Sequence, residues 1–392
     1  MRRINKSGMR ILYDDQGFFE PHGGVSRYFT EVMKRLPQGF EYRLPLVSSN
    51  NIYLRQPPFN LPPHRQCVDD FIREYCGGRV FRGVSRVYRM CARIMPRRFP
   101  SGELANMRRF HAALETGAFD VLHLTGPHWV RGDWNMVSGK KPIVVTIHDL
   151  IPELFNKDCR VAACRRRLLK AASRIIAVSE NTKRDVIRLY GTNPDKITVI
   201  YHGHLPIETV PQSGYSSDSP YILYVGKRNG YKNFGFLVRA VVPLLKNGLK
   251  LFCTGSAFST EERKFFKELG VSDCIIQKFV SDVEMSLLFK NAVAFVYPSR
   301  YEGFGIPILD AFSAGAPVVL SNCSCFPEVA GDAALYFEDG DDVMIRRHVQ
   351  RLLQGDSLRD ELIRKGKERV KLFSWDKCAN KTAMAYSTAL SS

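Results

Sequence analysis

Glu302 and Asp310 stand eight positions apart in YPSRYEGFGIPILDAF, residues 297–312. No cation separates them in the chain, and a carboxylate can accept several hydrogen bonds, so the pair suits hydroxyl recognition. Gly303, Phe304, Gly305 and Ile306 lie between them, and glycine lets backbone N–H groups approach a ligand closely. Pro307 stands where a first helical turn would begin. A helix start offers unpaired N–H groups and partial positive charge, which favour a phosphate. A plain strand–loop–helix turn with a capping carboxylate would read the same way in isolation.

Three other segments have comparable placement. In YVGKRNGYKNF (224–234), Arg228 and Lys232 follow an apolar run and precede a helical one. A fork donor and a point charge at the carboxyl edge of a sheet fit a diphosphate. In TIHDLIPELF (146–155), His148 and Asp149 come directly off a buried-type strand, and His148 could hydrogen-bond a sugar hydroxyl or a phosphate. In PHGGVSRYF (21–29), Gly23 and Gly24 permit close approach to an anion, although the dinucleotide pattern G-x-G-x-x-G is missing. Asp339-Gly340-Asp341 reads as helix capping. The chain lacks a Walker A sequence, H-E-x-x-H and G-x-S-x-G. Neither a metal site nor a cofactor is expected.

Short apolar strands alternate with helical patterns throughout and must hold these segments in place. Strands are expected at 9–14, 41–47, 119–124, 143–147, 174–178 and 197–200, then at 221–225, 250–254, 274–277, 293–297 and 317–320. Near-continuous apolar strands between helices imply parallel sheets covered on both faces. Residues 205–219 are rich in Ser, Pro and Gly, which divides the chain into units at 1–204 and 220–374. The expected architecture is α/β, two doubly wound Rossmann-like domains facing each other across a cleft, with ligands at the strand carboxyl ends.

The 392 residues are 45% hydrophobic and 24% charged, which excludes a disordered chain and a disulfide-stapled miniprotein. The ten cysteines show no C-x-x-C and read as free thiols of a reducing compartment. The expectation is a cytoplasmic protein without a signal peptide or membrane span. The net charge is +18, and residues 1–200 carry 34 Lys and Arg against 18 Asp and Glu. Such a cationic half suggests an anionic partner. Arg79, Arg82, Arg86, Arg89 and Arg93 fall on one side of an expected helix, with an apolar side opposite. That helix could lie on an anionic membrane surface or be an ordinary core helix. Arg165, Arg166, Arg167, Lys170 and Arg174 read as a solvated face.

The four segments, in this order, together with AVSENTKRDV (177–186), FVSDVEMSLLFKNA (279–292) and SNCSCFPEVAGDAALYF (321–337), resemble the retaining GT-B glycosyltransferases of the large family four. The resemblance runs from about residue 9 to 370. It implies an amino-terminal acceptor domain, a carboxy-terminal nucleotide-sugar domain, and a last helix, 375–392, crossing back to the first. It implies that Glu302 and the Phe304–Gly305 amides hold the donor sugar, with Gly303 and Ile306 in the same loop. Asp310 would bind the ribose, Arg228 and Lys232 the diphosphate. Gly23 and Gly24 would flank the diphosphate and acceptor, His148 would touch the reacting sugar, and backbone at Phe279–Val280 would contact the base. The family usually has glutamate at both ends of E-x7-E, whereas this chain has Asp310 at the second.

The implied activity is metal-independent transfer of a hexosyl unit, mannose from GDP-mannose as first choice, to a glycan or polyprenyl-pyrophosphate-linked acceptor. The likeness is to mannosyltransferases of bacterial polysaccharide and lipopolysaccharide synthesis. A GT-B nucleotide-sugar epimerase would act without an acceptor, and a phosphorylase would need a pyridoxal lysine in a setting the chain does not show. A basic nucleic-acid-binding protein would require a recognition helix or aromatic-interleaved basic strand, and neither is evident, so no nucleic acid is expected. A catalytically silent partner subunit fits poorly with Glu302 and Lys232 both present.

Overall fold

The computed structural model describes residues 8–64, 101–126, 141–205, 218–228 and 230–391. In the first half, β1 (Met9–Tyr13), α1 (Gly24–Lys34), β2 (Phe40–Arg43), α2 (Ser101–Thr116), β3 (Val121–Leu124) and β4 (Ile143–Ile147) come in turn. They are followed by α3 (Ile151–Leu154), α4 (Cys159–Ala171), β5 (Arg174–Ala177), α5 (Glu180–Tyr190) and β6 (Ile197–Val199). The second half starts with β7 (Tyr221–Tyr224), α6 (Phe234–Lys246), β8 (Lys250–Thr254), α7 (Thr260–Leu269), β9 (Ile275–Lys278), α8 (Asp282–Asn291) and β10 (Ala294–Tyr297). It continues with α9 (Ile306–Ala314), β11 (Val318–Ser321), α10 (Phe326–Ala330), β12 (Leu335–Phe337), α11 (Asp342–Gln354), α12 (Asp356–Val370) and α13 (Trp375–Ser391).

The strands form two six-stranded sheets, ordered β2-β1-β3-β4-β5-β6 and β12-β11-β10-β7-β8-β9. Every recorded pairing is parallel. The apolar runs IVVTI and YILY are buried at every position, as strands covered on both faces must be. Phe29, Val32 and Trp375 cover one face of the first sheet, while Phe110, Leu168 and Val186 cover the other. Phe289, Phe312 and Phe326 cover one face of the second, and Phe234, Leu237 and Val349 the other.

Helix α13 returns to the first sheet. Its Tyr386 hydroxyl lies 2.5 Å from the Tyr13 hydroxyl and 2.7 Å from His123 Nδ1. A Cβ on Gly203 would stand 2.1 Å from the Trp375 backbone nitrogen, so the chain passes beneath this helix only as glycine.

Eleven strands were expected, and the twelfth, three-residue β12, is too short to show a period. The second strand is found at Phe40–Arg43 rather than 41–47, since Pro45 interrupts the ladder. The expected helix carrying Arg79–Arg93 lies outside the described residues, as does most of the 205–219 segment.

Each sheet has a point where chain order reverses. In the first sheet it lies between β1 and β3; in the second, between β7 and β10. Loops leaving adjacent strands in opposite directions open a crevice at such a point. Gly23 and Gly24 follow β1, and Thr125 and Gly126 follow β3. Lys232 follows β7, and Glu302 follows β10.

Candidate active site

At the second switch point, Lys232 Nζ donates to Glu302 Oε1 at 2.5 Å and to the Tyr297 hydroxyl at 3.3 Å. Glu302 is 8% exposed. The Lys232 ammonium also faces the Tyr231 and Tyr297 rings, with centroids 5.3 and 5.4 Å away. A nearly buried carboxylate is thus matched by a fixed cation, which offsets its loss of water. Glu302 had seemed to lack a cation; its partner comes from the neighbouring switch-point loop, 70 residues earlier.

The segment SNCSC after β11 holds the Glu302 loop from beneath. Ser324 Oγ donates to the Glu302 carbonyl at 2.6 Å and accepts from its N–H at 3.2 Å. Cys325 Sγ donates to the same carbonyl at 3.2 Å, and Ser321 Oγ to the Ser299 carbonyl at 2.5 Å. Sequence reasoning missed these supports. The one local signal was the density of short polar side chains at a strand end.

Arg228 is placed differently from Lys232. Its Nε donates to Glu262 Oε1 at 2.7 Å and its Nη2 to Glu262 Oε2 at 3.2 Å. Nη2 also donates to the carbonyls of Ser256 and Ala257, at 2.8 and 3.1 Å. The guanidinium sits 4.8 Å from the Phe258 ring centroid, and its side chain is 5% exposed. This cation braces the 256–262 loop, and its contacts do not join the Lys232–Glu302 pair.

Gly303 carries the loop onto the first half. A Cβ there would stand 1.6 Å from the His148 carbonyl oxygen, so nothing larger fits. The Gly303 carbonyl accepts from Ser179 Oγ at 2.7 Å and Thr182 Oγ1 at 3.3 Å. Ser179 caps α5, so one hydroxyl serves both helix and interface. Nearby, Tyr301 donates to Asp185 at 2.9 Å, and Glu328 accepts from the backbone N–H groups of Glu180 and Asn181 at 2.6 and 3.2 Å.

Two helix starts meet beside this contact. Helix α1 begins after Gly23 and α9 after Gly305, and neither has a side-chain cap. A Cβ on Gly24 would lie 3.3 Å from Ile306 Cδ1. Uncapped N–H groups and two positive dipole ends therefore converge. Arg27, on the first turn of α1, reaches Asp310 of α9 with Nη1 3.5 Å from Oδ2. Asp310, also expected without a cation, thus has one from the opposite half.

A cavity of about 420 Å³ opens at the first switch point, lined by Phe19, Gly23, Gly24, Gly126, His148 and Asp149 among others. Burial, with help from Arg165, pushes the His148 pKa down to about 3, so its imidazole is neutral at physiological pH. Its Nε2 has no hydrogen-bond partner among the described residues. Burial raises the Asp149 carboxyl above its ordinary value, partly opposed by Arg165. Arg165, expected on a solvated face, is 4% exposed and donates to Glu153 Oε2 and the Asp149 carbonyl at 2.9 and 2.8 Å. Arg166, Arg167 and Lys170 are exposed.

Phe279 and Val280 follow β9, two strands from β7. Phe279 is 77% exposed, whereas Val280 packs against the second sheet's core. Among the described residues, no group of three His, Cys, Asp or Glu could hold a metal ion, and no helix is long and apolar enough to cross a membrane.

Both the sequence and the two-sheet fold match known proteins. Residues 22–204 match the family described as Glycosyltransferase Family 4, and residues 207–369 match Glycosyl transferases group 1. The O-antigen chain mannosyltransferase B of Escherichia coli is 31% identical over 323 residues, covering 72% of this chain and 82% of its own. Sucrose-phosphate synthase of Thermosynechococcus elongatus aligns over 97% of this chain and 98% of its own, with a TM-score of 0.67 at 17% identity. Anabaena Alr3699/HepE, solved with UDP and glucose, aligns over 97% and 99%, with a TM-score of 0.67 at 14% identity. The chain belongs to the family-four glycosyltransferases and has the GT-B fold.

Proposed function

We propose that this glycosyltransferase moves a hexosyl unit, mannose from GDP-mannose as first choice, onto a glycan or polyprenyl-pyrophosphate-linked glycan, with retention and without a metal ion. The observation that carries the reading is the convergence of two uncapped helix starts, at Gly24 and Ile306, beside the Lys232–Glu302 pair. Breaking the anomeric C–O bond puts negative charge on the departing diphosphate. Helix dipoles and Lys232, already fixed in place, offset that charge without reorganising. Glu302 accepts hydrogen bonds from donor-sugar hydroxyls while Lys232 holds its carboxylate. The neutral His148 imidazole bonds to the reacting sugar. The acceptor oxygen, entering from the 420 Å³ cavity, bonds to the same face that the diphosphate leaves, and a departing phosphate oxygen takes its proton.

The likeness to the Escherichia coli O-antigen mannosyltransferase supports mannose and a surface-polysaccharide acceptor. The cationic first half supports action at the inner face of the cytoplasmic membrane, beside a pyrophosphate-linked lipid. A panel of nucleotide sugars, scored by thermal shift and slow hydrolysis, tests the donor reading. GDP-mannose is expected to stabilise the wild type, Lys232→Ala and Glu302→Ala to lower its slow hydrolysis by about 10²-fold or more, and EDTA to have no effect. A wild type that no nucleotide sugar stabilises would remove the donor site.

A further inference from the structure

We propose that Arg27, on the first helix of the amino-terminal half, orients the Asp310 carboxylate for the ribose diol of the nucleotide, so that ribose recognition depends on both halves. The inference rests on the donor-site reading above and adds a positioning residue from the opposite domain.

Arg27 lies one turn into α1, its N–H donating to the Gly23 carbonyl at 3.0 Å. Its carbonyl accepts from Thr30 Oγ1 at 3.0 Å, which fixes the backbone from which the guanidinium projects. The start of α1 packs against Ile306, the first residue of α9, which carries Asp310 one turn further on. The two side chains therefore meet wherever the two helix starts meet. Both are largely buried, at 20% and 24% exposure, so water screens their attraction incompletely.

His204 is another basic group near this carboxylate, with Nδ1 4.0 Å from Oδ1. Burial and the Arg27 charge push its pKa down to about 4, so it faces Asp310 as a neutral ring. Arg27, unlike His204, therefore faces Asp310 as a cation at neutral pH. Arg228 is no substitute, since Glu262 and two carbonyls occupy it.

A vicinal diol donates to a carboxylate best when the carboxylate plane is already set. Aspartate has a shorter reach than the glutamate usual at this position, so its orientation matters more. An arginine charge 3.5 Å from Oδ2 biases that plane before the nucleotide arrives, leaving Oδ1 to the diol.

The test compares GDP with 2′,3′-dideoxy-GDP, by calorimetry, on wild type, Arg27→Ala, Arg27→Lys, Asp310→Asn and the Arg27→Ala/Asp310→Asn double variant. Charged hydrogen bonds to the ribose predict that wild type binds GDP roughly 10- to 100-fold more tightly than the dideoxy form. Arg27→Ala is expected to lower GDP affinity about 10-fold and leave dideoxy-GDP affinity unchanged. Arg27→Lys should restore part of the loss, and the double variant should be no weaker than Asp310→Asn. Equal weakening of both nucleotides would assign Arg27 to the phosphates and overturn the proposal, as would no change in either. A wild type that binds neither GDP nor UDP would instead defeat the underlying donor-site reading.

Discussion

The carboxyl ends of the two sheets are finished in opposite ways. After β7 and β10, charges are paired and loops are tied down: Lys232 to Glu302, Arg228 to Glu262, and Ser324 to the Glu302 backbone. After β3 and β4, a cavity stands open and neutral histidines line or underlie it. His148 has an unpartnered nitrogen, while His123 lies between Tyr386 and Thr146 at 2.7 and 2.9 Å. One end offers fixed charge, as stabilising a leaving group requires. The other sets a neutral His148 imidazole beside Glu20, Asp149 and Arg165 in an open cavity, with less of its charge tied up in fixed pairs. Preorganised charge is efficient where charge develops, and it would be a liability where neutral hydroxyls must enter and leave.

The sharpest break in this comparison is the removal of a fixed charge. Lys232→Ala should lower kcat by about 10²–10³ with the fold retained, measured by steady-state transfer. Arg228→Ala should cost less in kcat and more in melting temperature, because it strips Glu262 and two carbonyls of their donor. Equal kcat losses with unchanged melting would mean that Arg228 acts on substrate after all.

The apposition of the two ends is tested by Gly303→Ala. A methyl group 1.6 Å from the His148 carbonyl oxygen must push the loop away by more than an ångström. A misplacement of that size costs roughly 10² in kcat/KM. Full activity in this variant would show that the closed contact is dispensable.

At the histidine-lined end the effect is on stability rather than on rate. His123 and His148 have folded-state pKa values pushed down to about 3 by burial, against an ordinary 6.5. Below pH 6.5 the unfolded chain binds protons that the folded chain refuses, so stability present at neutral pH is lost as pH falls toward 3. The loss is at most about 1.4 kcal/mol per pH unit per histidine. Denaturant titrations at pH 7, 6, 5 and 4 measure it, and His123→Gln should flatten the slope. A slope that begins only below pH 4.5 would assign it to carboxylates instead.

Much of the site was legible in the chain because its signals are local. A strand that runs into glycines and then a helix announces itself over ten residues, and Gly24, Lys232 and Glu302 sit at such junctions, while His148 comes directly off a strand. Arg165 misled because Arg166, Arg167 and Lys170 beside it are solvated, while it turns inward to Glu153; Arg174 of the same expected face is half-buried at the start of β5 and donates to the Asp195 carbonyl at 2.7 Å. The Ser324 support and the Arg228 brace were invisible because their partners lie 22 and 34 residues away.

The sequence by itself determined the alternation of strand and helix, the two-sheet plan and which loops would stand at strand ends. Apolar period, glycine and proline fix those within a few residues, whatever the rest of the chain does. Only the tertiary structure decided which cation meets which carboxylate: Lys232 with Glu302, Arg228 with Glu262, and Arg27 with Asp310 across the cleft. Such pairings depend on distances between separately folded elements, and Coulomb attraction has no preferred sequence separation.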